Sequence, residues 1–453
     1  MTARRAIVLV IDACGVGALP DAAAYGDEGT NTLLHVAEAV GGLELPTLTA
    51  LGLGNIAPGG LAPGLPTPSH ATDSLPGGGH ATGGHATGSF ATGSLASTLP
   101  GVPAVEDPAI HGRLHPLGPG KDSTTGHWEL MGVVLERALP VYPEGFPPEV
   151  IERLVAAMGH PVICNRPYNG IAAIEDFGAE HLRTGALILY TSQDSVLQLA
   201  AHVERMSAAE LYRACAAARA SMTGEHAVGR VIARPFMGEQ GAFRRTDGRR
   251  DFALRPPGRS YLEELRDAGV QVHGVGKISD LFAGVGVSES HPGSTNERAL
   301  ASTGALLEQL ERGLVFVNLI DTDQVHGHRK DVQGFYHALQ EIDAKIGEWL
   351  ARLRGGDLLI VTADHGVDPA HPGTDHTREY APLLAVSGEM VRWRRPGRRA
   401  QPGASGGKDR PSAHAVPPGA RHDGPLADVG ATVLRWLTGR DAAGLPGESF
   451  MGP

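Results

Sequence analysis

Four short apolar runs constrain the fold most strongly: AIVLVI (Ala6–Ile11), ALILY (Ala186–Tyr190), LVFVNLI (Leu314–Ile320) and LLIVTA (Leu358–Ala363). Each is nearly continuous in Val, Ile and Leu, without the alternation of a strand that faces water on one side. That pattern suits strands covered on both faces, as in a parallel sheet. Each run also stops abruptly at polar residues: Asp12; Thr191, Ser192 and Asp194; Asp321 and Asp323; Asp364 and His365. In open α/β sheets, ligands gather at the carboxyl ends of the strands. One such acid ordinarily starts a loop or caps a helix. Four strand ends with the same chemistry point to a shared site.

Between the runs, apolar residues recur at helical spacing in Leu211–Met222, Ser260–Gly269, Ser302–Gly313 and Tyr336–Gly355, several closing on Gly as helix stops do. The alternation predicts α/β layers, and 453 residues suggest two or three domains. Lys plus Arg number 39 against 50 Asp plus Glu, a net charge of −11. That balance argues against nucleic acid or an anionic membrane as the main partner. The first apolar run meets Asp12 too soon for a signal-peptide core or a membrane span. Cys14, Cys164 and Cys215 form no CxxC pair, so neither a disulfide framework nor a zinc ribbon is expected. A reduced, cytoplasmic setting is the simplest expectation.

Two stretches break the pattern. Gly77–Ser97 repeats a small ATG unit and reads as a flexible spacer, with His70, His80 and His85 as conceivable ligands for a stray metal. Arg392–Arg421 carries seven Arg and one Lys against one Asp, and reads as a solvated insert.

The segment VTADHGVDPAHPGTDHTREYAP (Val361–Pro382) concentrates Asp364, His365, Asp368, His371, Asp375 and His376 after a strand. LIDTDQVHGHRKD (Leu319–Asp331) repeats the idea with Asp321, Asp323, His326 and His328, and Asp12 adds a carboxylate. Carboxylates with imidazoles suit zinc, manganese or iron, and the lack of thiolates argues against a structural zinc site. Two such ions form a site that clamps attacking and leaving oxygens in phosphoryl transfer. A hydroxyl nucleophile is available in GKDSTTGHWELMG (Gly120–Gly132), at Ser123, Thr124 or Thr125. On its own, DSTT would read as a Ser/Thr cap before a short helix.

These segments, with VIDACGVGALPDAAAYGDEGTNTLLHVAE (Val10–Glu38), GKDSTTGHWE, TSQDSVLQLAAH (Thr191–His202), TADHGVDP and HTREYAPLL (His376–Leu384), resemble the phosphopentomutase family of the alkaline phosphatase superfamily. The resemblance spans nearly the whole chain apart from the two biased stretches. It implies an α/β fold: an alkaline phosphatase-like, mainly parallel sheet flanked by helices, with a smaller α/β cap inserted. The core would comprise residues 1–137 and 258–453, with inserts at about 58–103 and 391–424, and the cap residues 138–257. Two manganese ions are implied, one held by Asp12, Asp364 and His365, the other by Asp323, His328 and His376. Asp323 is preferred to Asp321 because the family's ligand Asp stands five residues before the histidine of the GH pair; Asp321 would orient a ligand from behind. The phosphorylated hydroxyl would be Ser123, where the family typically has Thr, with Thr124 as the alternative. Ser192 and Asp194 would meet sugar hydroxyls, and Arg234, Arg249 and Lys277 the phosphate.

The resemblance further implies exchange rather than hydrolysis. Ribose 1-phosphate and ribose 5-phosphate, or their 2-deoxy forms, would interconvert through a 1,5-bisphosphate, in nucleoside salvage and catabolism. A bisphosphorylated sugar such as glucose 1,6-bisphosphate would serve as primer. The partners expected are small sugar phosphates, with neither nucleic acid nor membrane. The rival readings are a phosphoglycerate mutase or phosphatase of the same superfamily, and a non-catalytic metal-binding protein.

Overall fold

The computed structural model describes residues 4–56, 99–192, 194–393 and 419–451. Three of the four apolar runs lie side by side. Gly313–Leu319, Arg5–Ile11 and Asp357–Thr362 are parallel neighbours, buried along their whole length. They form the middle of an eight-stranded sheet. Its order is Glu289–His291, Val272–Val275, Gly313–Leu319, Arg5–Ile11, Asp357–Thr362, Ala381–Ser387, Ile110–His115, Gly424–Pro425. Ala381–Ser387 runs antiparallel to both neighbours and the other pairings are parallel. The register sets Ile11 opposite Leu319 and Val10 opposite Thr362. Asp12, the 321–323 turn and Asp364 therefore leave the sheet at one edge.

Helices flank this sheet. Val332–Leu350 packs on Thr32–Val40 and Pro46–Leu51, and Asp428–Thr438 on Tyr261–Asp267. Buried polar groups tie the layers together. Asp343 accepts hydrogen bonds from the N–H groups of Thr47 (3.1 Å) and Leu48 (2.7 Å), capping a helix that has no side-chain cap of its own. Arg5 forks onto Asp357 at 2.8 and 2.6 Å and donates to the carbonyls of Leu307 and Leu310 at the end of Asn296–Gln309. A buried ion pair survives only when its remaining donors are met in this way.

The fourth apolar run does not join the parallel sheet. Leu187–Thr191 lies in a second, six-stranded mixed sheet spanning Val162–Pro167 to Arg250–Ala253, parallel to Val162–Pro167 and antiparallel to Val196–His202. It is fully buried because apolar clusters cover both faces: Leu187 and Leu189 join one with Val150, Leu154 and Leu211, while Ile188 and Tyr190 join another with Ile174 and Phe236. Burial on both faces produces the same run in either kind of sheet, so the run alone could not place this strand.

Helix bounds differ from the spacing in one instructive case. The expected Ser302–Gly313 is Asn296–Gln309, because the Thr295 side chain accepts from Arg298 N–H and caps it earlier. Gly313 is the first residue of the next strand and not a helix stop. Gly77–Ser97, with His70, His80 and His85, and most of the basic run lie outside the described residues. The outer edges of both expected inserts belong to the fold: Leu43 N–H bonds Pro100 O, and Gly424–Pro425 pairs with Ile110–His115. Among the described residues no helix is long and apolar enough to cross a membrane, and Cys14, Cys164 and Cys215 are free thiols.

Candidate active site

Three carboxylates and three imidazoles converge at the carboxyl edge of the eight-stranded sheet. His365 Nε2 is 3.2 Å from Asp12 Oδ1 and 3.5 Å from Asp364 Oδ2. Asp323 Oδ1 is 3.3 Å from His328 Nε2 and 3.5 Å from His376 Nε2. The two trios abut, since one ligand atom each from Asp12, Asp323 and His365 fit within 4.8 Å of one another. The structure thus brings together all six expected ligands. Backbone carbonyls orient two of the rings: Nδ1 of His365 faces Gly366 O at 3.0 Å and Nδ1 of His328 faces Thr374 O at 2.5 Å, which leaves each Nε2 for the centre. Asp323 sits in a π-helical turn, Thr322–His326, a local widening of the kind that often occurs at functional sites.

Whether these residues fit metal ions is answered by their unsatisfied atoms. Asp364 Oδ2 and Asp323 Oδ1 are buried without a well-aligned hydrogen bond, facing only imidazole nitrogens at 3.0–3.5 Å, a costly condition that a bound cation relieves. Electrostatics agree. Burial, and then the charge of Asp12, push the Asp364 carboxyl above its usual range. Burial also opposes the charge on Asp12, yet the hydrogen bond and charge of His365 hold its carboxyl far below the ordinary value. His365 in turn is desolvated, but Asp364 and Asp12 raise its proton affinity well above normal. The neighbouring acids thus draw His365 and His376 toward the protonated form against the cost of burial. The donor set of carboxylates and imidazoles without thiolate fits two divalent ions.

The hydroxyl of Ser123 meets this centre, 3.2 Å from both Asp12 Oδ1 and His365 Nε2. Asp122 makes this placement available. It caps the helix Ser123–Leu130, accepting from the N–H groups of Thr124 (2.9 Å) and Thr125 (3.1 Å), while Thr125 closes a capping box. The cap is therefore Asp122 and not a Ser or Thr, which frees the first hydroxyl of the helix. Thr124 is buried and has no described hydrogen bond from its side chain to the centre. The helix lies so close to the acid that a Cβ on Gly126 would stand 2.5 Å from Asp364 O and 2.7 Å from Asp364 Cβ.

Two supporting residues escaped the sequence reading. Asn318 donates to Asp12 Oδ2 at 2.7 Å and to His127 Nε2 at 3.3 Å. His127 then carries its proton on Nδ1, which is 2.8 Å from Ser123 O and 3.0 Å from Asp364 Oδ2. The signal for Asn318 was the single amide inside LVFVNLI; His127 stood within GKDSTTGHWE.

Other members of the acid and imidazole cluster hold the loops instead. Asp368 accepts from Asn31 N–H and pairs with His35, His371 Nε2 faces Gly26 O, and Asp375 accepts from His376 N–H. His326 pairs with Asp331 at 2.8 Å. Asp321, expected to orient a ligand, accepts from Asn296 N–H at 2.8 Å while Asn296 Oδ1 accepts from Asp321 N–H. It fastens the 321–323 turn to the start of Asn296–Gln309.

The substrate candidates form a second group on the smaller sheet. Ser192 Oγ accepts from Asp194 N–H at 3.3 Å. Arg234 donates to Gln198 at 3.1 Å, and Arg249 forks onto Asp251 at 2.8 Å through two nitrogens. Arg230, which sequence reasoning did not single out, stands 3.7 Å from Asp194 and 3.8 Å from Asp251. It is four residues from Arg234 along one strand, and so on the same face. Lys277 links the two groups. Burial lowers its proton affinity, Asp12 and Asp323 oppose that, and Arg230 and Arg249 add to it.

Three carboxylates and three imidazoles clustered at the carboxyl edge of an α/β sheet, with a hydroxyl pointed among them, are the makings of a metal-dependent enzyme. A family model described as the Metalloenzyme superfamily matches residues 4–439. A phosphopentomutase of Caldanaerobacter subterraneus subsp. tengcongensis is 45% identical over 396 residues, covering 87% of this chain and 91% of its own. Another, of Desulfitobacterium hafniense, is 39% identical over 450 residues and 99% of each chain. A solved phosphoglycerate mutase of Leishmania mexicana aligns over 99% of this chain and 98% of its own at 14% identity with a TM-score of 0.43, too loose a likeness to bear on chemistry. The chain belongs to the phosphopentomutase family, and is a metal-dependent isomerase of the phosphotransferase type.

Proposed function

We propose that the chain interconverts ribose 1-phosphate and ribose 5-phosphate, or their 2-deoxy forms, through a phosphorylated Ser123. The carrying observation is the Ser123 hydroxyl, 3.2 Å from Asp12 and from His365 at the start of a helix. Asp12, Asp364 and His365 would hold one ion and Asp323, His328 and His376 the other, manganese by family likeness. Bound there, the ions would ease loss of the hydroxyl proton and offset the charge of a transferring phosphoryl group.

Phosphorylated Ser123 gives its phosphoryl group to the free hydroxyl of a pentose monophosphate. The O–P bond to Ser123 breaks, the new O–P bond forms on the sugar, and the sugar's proton returns to the serine oxygen. The resulting 1,5-bisphosphate, presented in the opposite sense, returns its other phosphoryl group to Ser123. No water is consumed, so the primer, glucose 1,6-bisphosphate or a like compound, is needed only to phosphorylate an empty serine. A phosphoryl group at Ser123 also lies at a helix N-terminus, where the peptide dipoles favour an anion.

Residues 138–257 would act as the cap. Ser192 and Asp194 would meet the sugar hydroxyls, while Arg234, Arg249 and Lys277 would take the phosphate distant from the reaction. Arg249 and Arg230 are held by Asp251 and Asp194, which keeps the forks ordered without a ligand. Water must be kept from the phosphoserine, and a cap over the sheet edge supplies that exclusion. The setting we assign is cytoplasmic, in nucleoside salvage, supported by free thiols and the family likeness.

The test is phosphorus NMR of ribose 1-phosphate with manganese-loaded enzyme and trace glucose 1,6-bisphosphate. Ribose 5-phosphate without free phosphate is the expected result. Free phosphate alone would identify a hydrolase. No reaction, with both metals verified in place, would overturn the pentose assignment.

A further inference from the structure

Outside the catalytic centre, two imidazoles and a carboxylate meet on the free edge of the eight-stranded sheet. Val272–Val275 and Glu289–His291 form the last pair of that sheet, with Glu289 opposite His273. His291 is two residues beyond Glu289 and so on the same face of its strand. His273 Nδ1 is 3.0 Å from His291 Nε2 and 3.6 Å from a Glu289 oxygen, and the other Glu289 oxygen is 3.9 Å from His291 Nε2.

From these three residues we infer a third metal site, distinct from the two-metal centre, that takes a zinc-like transition-metal ion. Ligand atoms held about 2.0–2.1 Å from a tetrahedral ion stand roughly 3.3–3.4 Å from one another. One ligand atom from each of the three residues lies within 4.8 Å of the others, and the two ring nitrogens are already 3.0 Å apart, so side-chain rotation of the exposed Glu289 is what must close the set on an ion. The bland alternative is a histidine pair sharing one proton beside a solvated acid. In that case one protonated ring would suffice to attract Glu289, whereas its two oxygens face both rings, one toward each. Both rings are largely shielded from water, at 7% and 16% exposure, while Glu289 is 62% exposed. A fourth coordination position is therefore left to solvent.

Two imidazoles and a carboxylate bind zinc more tightly than manganese along the usual order of divalent affinities, as they would also at Asp323, His328 and His376, so zinc serves here as the probe and the site is told apart by its place in the fold. The ion would pin a three-residue edge strand to Val272–Val275. Lys277 follows that strand closely, and Asn296, which holds the 321–323 turn through Asp321, follows the other. The site would therefore brace the sheet edge that carries both.

The experiment uses the whole enzyme. Wild type, His291→Ala and Glu289→Gln are saturated with zinc, desalted and measured for zinc per chain by mass spectrometry, and each is melted with and without zinc, while parallel manganese-loaded samples kept free of zinc are measured for manganese and activity. Wild type should retain roughly one more zinc per chain than His291→Ala and melt higher with zinc, as a ligand of the native state requires. Glu289→Gln, at an exposed position, should weaken zinc retention about tenfold or more with manganese content and mutase activity unchanged. Equal zinc in wild type and both variants would overturn the site. Loss of manganese together with zinc in Glu289→Gln would also overturn it, by showing that the residue acts through the catalytic centre.

Discussion

Gly126 offers a sharp test of the site's geometry because two effects oppose each other there. It lies inside the helix Ser123–Leu130, where replacing Gly by Ala ordinarily stabilises by roughly 0.5–1 kcal/mol. Here the new methyl would stand 2.5 Å from Asp364 O and 2.7 Å from Asp364 Cβ. Ordinary contact begins near 3.4 Å, so the helix and the acid must separate by about 1 Å. Overpacking of this kind costs about 1–3 kcal/mol, enough to cancel the helix gain and leave a net loss. The same shift draws Ser123 away from Asp12 and His365, and a misplacement of about 1 Å can cost on the order of 100-fold in rate. Gly126→Ala should therefore lower kcat/KM by about 100-fold and lower the melting temperature. Gly304→Ala is the control: its Cβ meets nothing nearer than Trp349 Nε1 at 3.6 Å, so it should be as active as wild type and slightly more stable. Assays with saturating manganese and primer separate positioning from metal loss. A Gly126→Ala enzyme as active as wild type, and as stabilised as the control, would refute the close approach of helix and acid.

Other outcomes follow from the same geometry. Asn318→Ala removes the donor that holds Asp12 and fixes the tautomer of His127; manganese affinity by calorimetry should fall about 10–100-fold, and unchanged affinity would count against its role. Metal loading should release protons, because burial opposes but Asp364 and Asp12 raise the proton affinity of His365 in the metal-free protein; loading should weaken as pH falls, and titration in weak buffer should detect acid on adding manganese. No release would mean the centre is already deprotonated without metal. Arg234→Ala removes a charged donor worth about 1.5–3 kcal/mol, so kcat/KM for pentose phosphate should drop roughly 10–100-fold with metal content intact; unaltered kinetics would remove Arg234 from the phosphate site.

The sheet edge was readable in the sequence where chemistry interrupts a strand abruptly. Asp12, Asp364 and His365 follow immediately on apolar runs, and the register of those runs brings their ends level. The separation of ALILY into another sheet was not readable, because burial on both faces erases the alternation that distinguishes sheets. Asp368 and His371 carry the same residue types as the six converging residues, yet bind loop backbone. Only the path of the chain after Asp364 separates the two groups. Asn318 shows the reverse case: a lone amide in an apolar strand is hidden by propensity arguments, although burying it without partners would be costly. The role of Asp122 as cap depended on which of four adjacent polar residues turns back onto the helix, a choice set by backbone angles and not by composition.

The most direct test of the account is to locate the phosphoryl group. Enzyme primed with glucose 1,6-bisphosphate and manganese would be quenched, digested and sequenced by mass spectrometry, alongside Ser123→Ala and Thr124→Val. The account predicts one phosphorylated residue, Ser123, retained in Thr124→Val, absent in Ser123→Ala, and, when the primer carries labelled phosphate, still phosphorylated but with its label passed to the pentose phosphates after pentose monophosphate is added. Phosphate on Thr124, or full turnover by Ser123→Ala, would contradict it.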